Sequence, residues 1–154
     1  LLGGADNDSI LGNEGADTIL GEAGSDTVDG GSEADTILGG ADADSLLGGA
    51  NGDTVLGGTG ADTVAGGAEA DLVYGGDADG TDPAADSLLG GSGGDTVYGE
   101  LGGDTLAGGD DDDSLLGGTG DNADPAADSL VGDGGGDTIF GEAGGDTVAG
   151  DAGD

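Results

Sequence analysis

Fifteen aspartates recur along this chain at an almost constant nine-residue spacing: Asp8, Asp17, Asp26, Asp35, Asp44, Asp53, Asp62, Asp71, Asp86, Asp95, Asp104, Asp113, Asp128, Asp137 and Asp146. A carboxylate is a hard oxygen donor. Each one stands next to a stretch of Gly, Ala, Asp and Asn whose tight turns expose backbone carbonyls beside it. Carboxylates and carbonyls together are the donors that calcium takes. The 154 residues include 35 Asp and Glu but no Lys, Arg or His, giving a formal net charge of −35. No side chain of the protein can therefore neutralise these carboxylates, and a cation from outside must do so.

Other chemistry finds little support. Paired carboxylates also cleave glycosides, yet every Asp or Glu pair here belongs to the periodic set. There is no His, Lys, Arg or Cys to act as base, electrophile or thiol nucleophile. The glycine-rich turns lack the lysine of a phosphate-binding loop. The negative charge disfavours nucleic acid and anionic membranes, and no apolar run approaches a transmembrane span. The chain is expected not to be an enzyme, to bind no nucleic acid and to insert in no membrane.

The aspartates are positioned by a nine-residue unit. Each unit opens with glycine, as at Gly3, Gly12, Gly21 and onward to Gly141, and places an aliphatic residue two after the aspartate, from Ile10 and Ile19 to Ile139 and Val148. Asp53 to Leu56 shows the local form, one inward aliphatic between outward neighbours, which is the alternation of a short strand. The second turn position is Asn13, Glu22, Glu100, Asp133 or Glu142 in five units, and in all five the fourth position is glycine. The turn thus needs at least one further residue free to adopt positive φ.

Repetition at this period predicts an all-β parallel solenoid with two units per turn and two parallel sheets. Asp8 then lies over Asp26, Asp17 over Asp35 and Asp44 over Asp62, near the ~4.8 Å strand spacing. Carboxylates that close need a bridging ion. Fifteen aspartates stacked two units apart form 13 pairs, so about 13 calcium ions are expected. One aliphatic per unit makes a thin core, and calcium is expected to decide whether the chain folds.

Gly57-Gly58-Thr59-Gly60-Ala61-Asp62-Thr63-Val64-Ala65 and Gly90-Gly91-Ser92-Gly93-Gly94-Asp95-Thr96-Val97-Tyr98 carry a specific resemblance. They are similar to the RTX (repeats-in-toxin) consensus Gly-Gly-x-Gly-x-Asp-x-aliphatic-x, and the resemblance covers residues 3–149. It implies a parallel β-roll that binds calcium between successive turns, through the sixth-position aspartates and turn carbonyls. It also implies an exported protein, unfolded at low cytosolic calcium and folded outside the cell. Glu33 and Glu69 depart from the pattern at the fourth position. Two fifteen-residue units, Gly75 to Leu89 and Gly117 to Val131, depart as well, and these turns are expected to bind calcium less regularly.

Both long units end in Asp-Pro-Ala-Ala-Asp-Ser-Leu, at Asp82 to Leu88 and Asp124 to Leu130. Proline removes a ladder donor, so the insertions, within 75–86 and 117–128, are expected to bulge from one edge. Ser9, Ser45, Ser87 and Ser129 follow the aspartate every fourth unit, a sign of duplication of a 36-residue block. Alternate units carry Leu20, Leu38, Leu56, Tyr74, Tyr98, Leu116 and Phe140 just after the core aliphatic, a candidate apolar stripe for self-association, with the open ends of the roll as the other candidate. The threonine column, from Thr18 and Thr27 to Thr138 and Thr147, resembles ice-binding solenoids. Ordinary strand preference explains it better.

Residues 1–154 are expected to form a single array. Leu1-Leu2 and Asp154 fall inside incomplete units, so the repeats are expected to continue beyond both ends, with no export signal or capping element within these residues. Zero cysteine fits an exported protein held together by metal. Two functions follow: the body of an extracellular or cell-surface structural protein (surface layer, adhesin stalk or filament), or the calcium-triggered folding and secretion module of a secreted enzyme or toxin. The length of the array, the block duplication and the stripe favour the structural one.

Overall fold

A computed structural model describes residues 1–77, 80–119 and 124–150. Its elements are sixteen short strands with no helix among the described residues. The first eight are β1 (Leu2–Ala5), β2 (Ser9–Glu14), β3 (Thr18–Ala23), β4 (Thr27–Ser32), β5 (Thr36–Ala41), β6 (Ser45–Ala50), β7 (Thr54–Thr59) and β8 (Thr63–Ala68). The second eight are β9 (Leu72–Gly76), β10 (Ser87–Ser92), β11 (Thr96–Tyr98), β12 (Thr105–Asp110), β13 (Ser114–Leu116), β14 (Ser129–Gly134), β15 (Thr138–Phe140) and β16 (Thr147–Ala149).

Odd-numbered strands form one eight-stranded parallel sheet and even-numbered strands the other. Two units therefore make each turn of a parallel β-solenoid. Register follows the repeat, with Ile37 beside Val55 and Val55 beside Val73. The pairing steps from 18 to 24 residues across the long units, as in Val64 beside Leu88.

A six-residue strand such as β5 shows why the sequence folds this way. Thr36 faces water, Ile37 faces in, Leu38 is half-buried and Gly39 faces in again. A six-residue strand of this kind thus has two inward positions, and only one carries a side chain. The aliphatics fuse into one core running from Ile19 through Val28, Ile37, Leu46, Val55, Val64, Val73, Leu88, Val97, Leu106 and Leu115 to Leu130. Ile10 and Ile139 are partly buried against it, while Val148, expected in the core, is 51% exposed because β16 is covered on one side only.

Turn glycines divide into two kinds. At the second and fourth positions φ is positive, as at Gly40 (φ 121) and Gly60 (φ 126). Where another residue takes one of these places, the other is glycine: Glu22 (φ 81) goes with Gly24 (φ 116), and Glu33 (φ 76) with Gly31 (φ 108). A left-handed non-glycine costs on the order of 1–3 kcal/mol, so one per turn is tolerated. Glu33 and Glu69 (φ 74) thereby keep the same turn as their neighbours. Opening glycines such as Gly48 have ordinary φ; what they supply is space.

Both insertions leave the same edge, between β9 and β10 and between β13 and β14. Residues 78–79 and 120–123 of these insertions lie outside the described set. Gly80 packs against Thr119, bringing the two insertions together, and Ala84 and Ala126 press their carbonyls on Gly102 and Gly144 of the following turns.

Candidate calcium ladder

Two columns of aspartate run up the two edges of the roll. One comprises Asp8, Asp26, Asp44, Asp62, Asp86, Asp104, Asp128 and Asp146. Each backbone N–H in it donates to Oδ1 of the next aspartate, at 2.7–3.1 Å. The other comprises Asp17, Asp35, Asp53, Asp71, Asp95, Asp113 and Asp137, bonded the same way at 2.7–3.0 Å. All fifteen sequence-predicted residues join one of these columns. The carboxylates from Asp26 to Asp128 are buried, and those of Asp8, Asp17, Asp137 and Asp146 are half-buried.

With Oδ1 committed to the neighbouring turn, Oδ2 is left for something else. It is buried without a hydrogen-bond partner in Asp26, Asp35, Asp44, Asp53, Asp62, Asp71, Asp95, Asp104, Asp113, Asp128 and Asp137. An orphaned buried carboxylate oxygen is costly, and here it recurs turn after turn. Each points at the space left by the opening glycine. A methyl carbon built on Gly48 would lie 2.5 Å from Gly66 O and 2.6 Å from Asp53 Oδ2. On Gly30 it would lie 2.5 Å from both Gly48 O and Asp35 Oδ2. One carboxylate oxygen and one carbonyl oxygen of the next turn thus converge beside each of these opening glycines, a pairing of donors that calcium takes.

The residues fit the ion. Among the described residues no three acidic side chains converge as a metal cluster, so backbone carbonyls such as Gly66 O would have to supply further donors. Calcium would neutralise the buried oxygens and tie one turn to the next. In its absence protons are held tightly. Burial, reinforced by neighbouring carboxylates and partly offset by the N–H donor, pushes Asp62 and Asp71 up to about 7 and Asp104 to about 8. The same causes bring Asp44, Asp86 and Asp113 to about 6 and raise Asp53, Asp95 and Asp128.

Four acidic residues outside the periodic set are part of this environment and were missed by the sequence pattern. Asp82 is buried in the first insertion and adds its charge to Asp62 and Asp86. Asp124 repeats this in the second, beside Asp104 and Asp128. Glu100 is buried in the turn that follows the first insertion, and Glu142 is half-buried after the second. The phenol of Tyr74 is raised by burial, by Tyr98 and by the Glu100 carboxylate. The duplicated Asp-Pro-Ala-Ala-Asp strings, each with a Gly-Glu pair beginning 13 residues after its last aspartate, were the available signal.

Fold and edges together define a parallel β-roll of nine-residue repeats with a carboxylate ladder on each side. The chain belongs to the RTX family: the model of the RTX calcium-binding nonapeptide repeat (4 copies) matches residues 1–28, 20–55, 29–64, 47–81, 89–124 and 122–154. Repeats of this family bind calcium, and the family is not a catalytic one. No match was found among curated proteins. No helix of the described residues is long and apolar enough to cross a membrane.

Proposed function

We propose that residues 1–154 act as one calcium-folded array within an exported structural protein, working outside the cell or at its surface as part of a surface layer, adhesin stalk or filament. The fifteen periodic aspartates hold the ions, about 13 of them, one for each stacked pair. The observation that carries this is the row of buried, unpartnered Oδ2 atoms in a chain with no cationic side chain. Cytosolic calcium is too scarce to fill sites of extracellular-module affinity, with Kd about 10⁻⁴ M, whereas millimolar calcium outside a cell fills them.

The structural role is supported by the outer face of the odd-numbered sheet. Leu20, Leu38, Leu56, Tyr74, Tyr98, Leu116 and Phe140 stand in register along it. Leu2 extends the stripe, and the rings of Tyr74 and Tyr98 stack 4.9 Å apart. The even-numbered sheet has large residues only at intervals, with Leu11, Leu47 and Leu89 separated by Asp29 and Ala65. A continuous apolar strip on one face suits lateral association of copies. The threonine column lends less to ice binding, since Leu72 interrupts it on the odd-numbered sheet.

Calcium titration of the metal-free chain, followed by far-UV circular dichroism and sedimentation velocity, tests the proposal. Cooperative gain of β structure at submillimolar to millimolar calcium is expected, with larger species at high protein concentration. A chain that keeps its β spectrum in chelator at pH 8 overturns the calcium-folding reading. A calcium-folded chain that stays monomeric shifts the case to a folding module of a secreted enzyme or toxin.

A further inference from the structure

Around the two insertions, acidic residues outside the periodic set are buried or half-buried. Their construction is the same 42 residues apart, with Gly76, Asp82 and Glu100 answered by Gly118, Asp124 and Glu142. A methyl carbon built on Gly76 would lie 2.8 Å from Glu100 Oε2 and 3.2 Å from Asp82 Cβ, with Gly58 O at 3.6 Å. On Gly118 it would lie 2.8 Å from Glu142 Oε2 and 3.4 Å from Asp124 Cβ. At each place a glutamate from the turn above and an aspartate from the insertion border one small space.

Burial of these groups is a product of the insertion. Glu22 occupies the same second turn position as Glu100, with a similar left-handed backbone (φ 81 against 75), but no insertion lies beneath it and it is exposed. Glu100, by contrast, is 5% exposed, Asp82 6% and Asp124 2%. Asp82 is anchored by Gly60 N–H to Oδ2 at 3.1 Å and Ala84 N–H to Oδ1 at 3.3 Å. In the second copy Ala126 N–H donates to Asp124 Oδ1 at 3.0 Å, and Asp124 Oδ2 is buried with no hydrogen-bond partner. Asp82, Glu100 and Asp124 are thus buried, and Glu142 half-buried, beside Gly76 and Gly118 in a chain without one cationic side chain.

We propose that the insertions build two further calcium sites, separate from the thirteen ladder pairs, with carboxylates from Asp82 and Glu100 in one and Asp124 and Glu142 in the other. The all-oxygen donors and double negative charge select a hard divalent cation of calcium's size, which accepts irregular coordination by carboxylates and carbonyls. This rests on the reading of the array as calcium-folded. It turns the long units from interruptions of the repeat into added binding capacity.

Native mass spectrometry of the calcium-loaded chain counts the ions directly. The double variants Asp82→Asn/Glu100→Gln and Asp124→Asn/Glu142→Gln are each expected to carry one ion fewer than the parent, while Glu22→Gln carries the same number. Double variants that hold as many ions as the parent overturn the insertion sites and leave the ladder intact. A parent that neither binds calcium nor folds with it sinks the underlying reading instead. Terbium in place of calcium gives a second measurement, because Tyr74 lies beside Glu100 and can sensitise an ion bound there. Glu100→Gln alone is expected to lower tyrosine-excited terbium emission at least two-fold, and Glu142→Gln to leave it nearly unchanged. Equal emission from Glu100→Gln and the parent overturns the site at Asp82 and Glu100.

Discussion

Asp53 is bonded on both sides: its Oδ1 accepts from Asp35 N–H at 2.7 Å, and its own N–H donates to Asp71 Oδ1 at 2.7 Å. Only Oδ2 is left over, so Asp53→Asn makes a sharp test. The amide keeps the Oδ1 acceptor and replaces the oxygen that would face calcium by a donor. Stability in millimolar calcium is expected to fall by about 3 kcal/mol, the worth of two shared ions with Kd near 10⁻⁴ M. Without calcium at pH 8 the same change is expected to favour folding, because it removes a buried charge. A thermal melt in calcium and the far-UV β signal in chelator check the two signs, and changes in the same direction would count against the role of Oδ2. Protons act at the same oxygens. Asp62 and Asp71 stand at about 7 and Asp104 at about 8 in the calcium-free fold, above the ~4 of an unfolded carboxyl. Groups raised in this way stabilise the fold fully below the unfolded value, and the contribution is lost as pH climbs through the folded one. The calcium-free chain is thus expected to gain β structure as pH falls from about 8 toward 4. Dichroism across that range that stays flat, or loses β signal, refutes the assignment.

Opening glycines are the feature of the strand that decides what each turn can hold. Gly48 has ordinary φ, so alanine suits its backbone, yet the added methyl would lie 2.5 Å from Gly66 O and 2.6 Å from Asp53 Oδ2. Gly48→Ala is expected to cost about 1–3 kcal/mol and to reduce calcium stoichiometry. Gly145→Ala, whose methyl meets nothing nearer than Ala127 Cβ at 4.0 Å, is expected to change neither. Calorimetric titration of the two variants distinguishes space for an ion from general intolerance of alanine. Much at this scale was legible in the sequence. The period gave parallel strands, two units per turn and an aliphatic core from Ile19 to Leu130, because a nine-residue repeat with one inward aliphatic leaves few other ways to bury it. Proline in Asp82-Pro83 and Asp124-Pro125 placed both insertions on one edge. The division of labour within each carboxylate was not legible. Oδ1 bonds a residue 18 or 24 positions away, and a pattern of residue types does not say which oxygen faces which turn. Glu100 was hidden for a related reason: it looks like Glu22, and only the insertion stacked beneath it makes it buried.

For the whole molecule, charge and apolar surface act in opposition. A formal charge of −35 keeps copies apart until cations neutralise it, so association is expected to follow calcium-induced folding. The strip then becomes available, half-buried from Leu20 to Leu116 and 54% exposed at Phe140, with Tyr74 stacked on Tyr98 at its middle. Replacing Tyr74, Tyr98 and Phe140 by Ser is expected to leave the calcium midpoint of folding within about two-fold, since all three lie outside the core, and to weaken self-association at least ten-fold, about 1.4 kcal/mol. Sedimentation of parent and variant in calcium decides it, and equal association removes the strip from consideration. The hydrogen bonds between turns carry one more consequence. Every turn offers aspartate Oδ1 acceptors toward the N-terminal side and aspartate N–H donors toward the C-terminal side, without reversal along either edge. The roll is therefore a vector. Two copies meeting end on find matching partners in one sense and carboxylate against carboxylate in the other, so a fibre built by such contacts would have a front and a back.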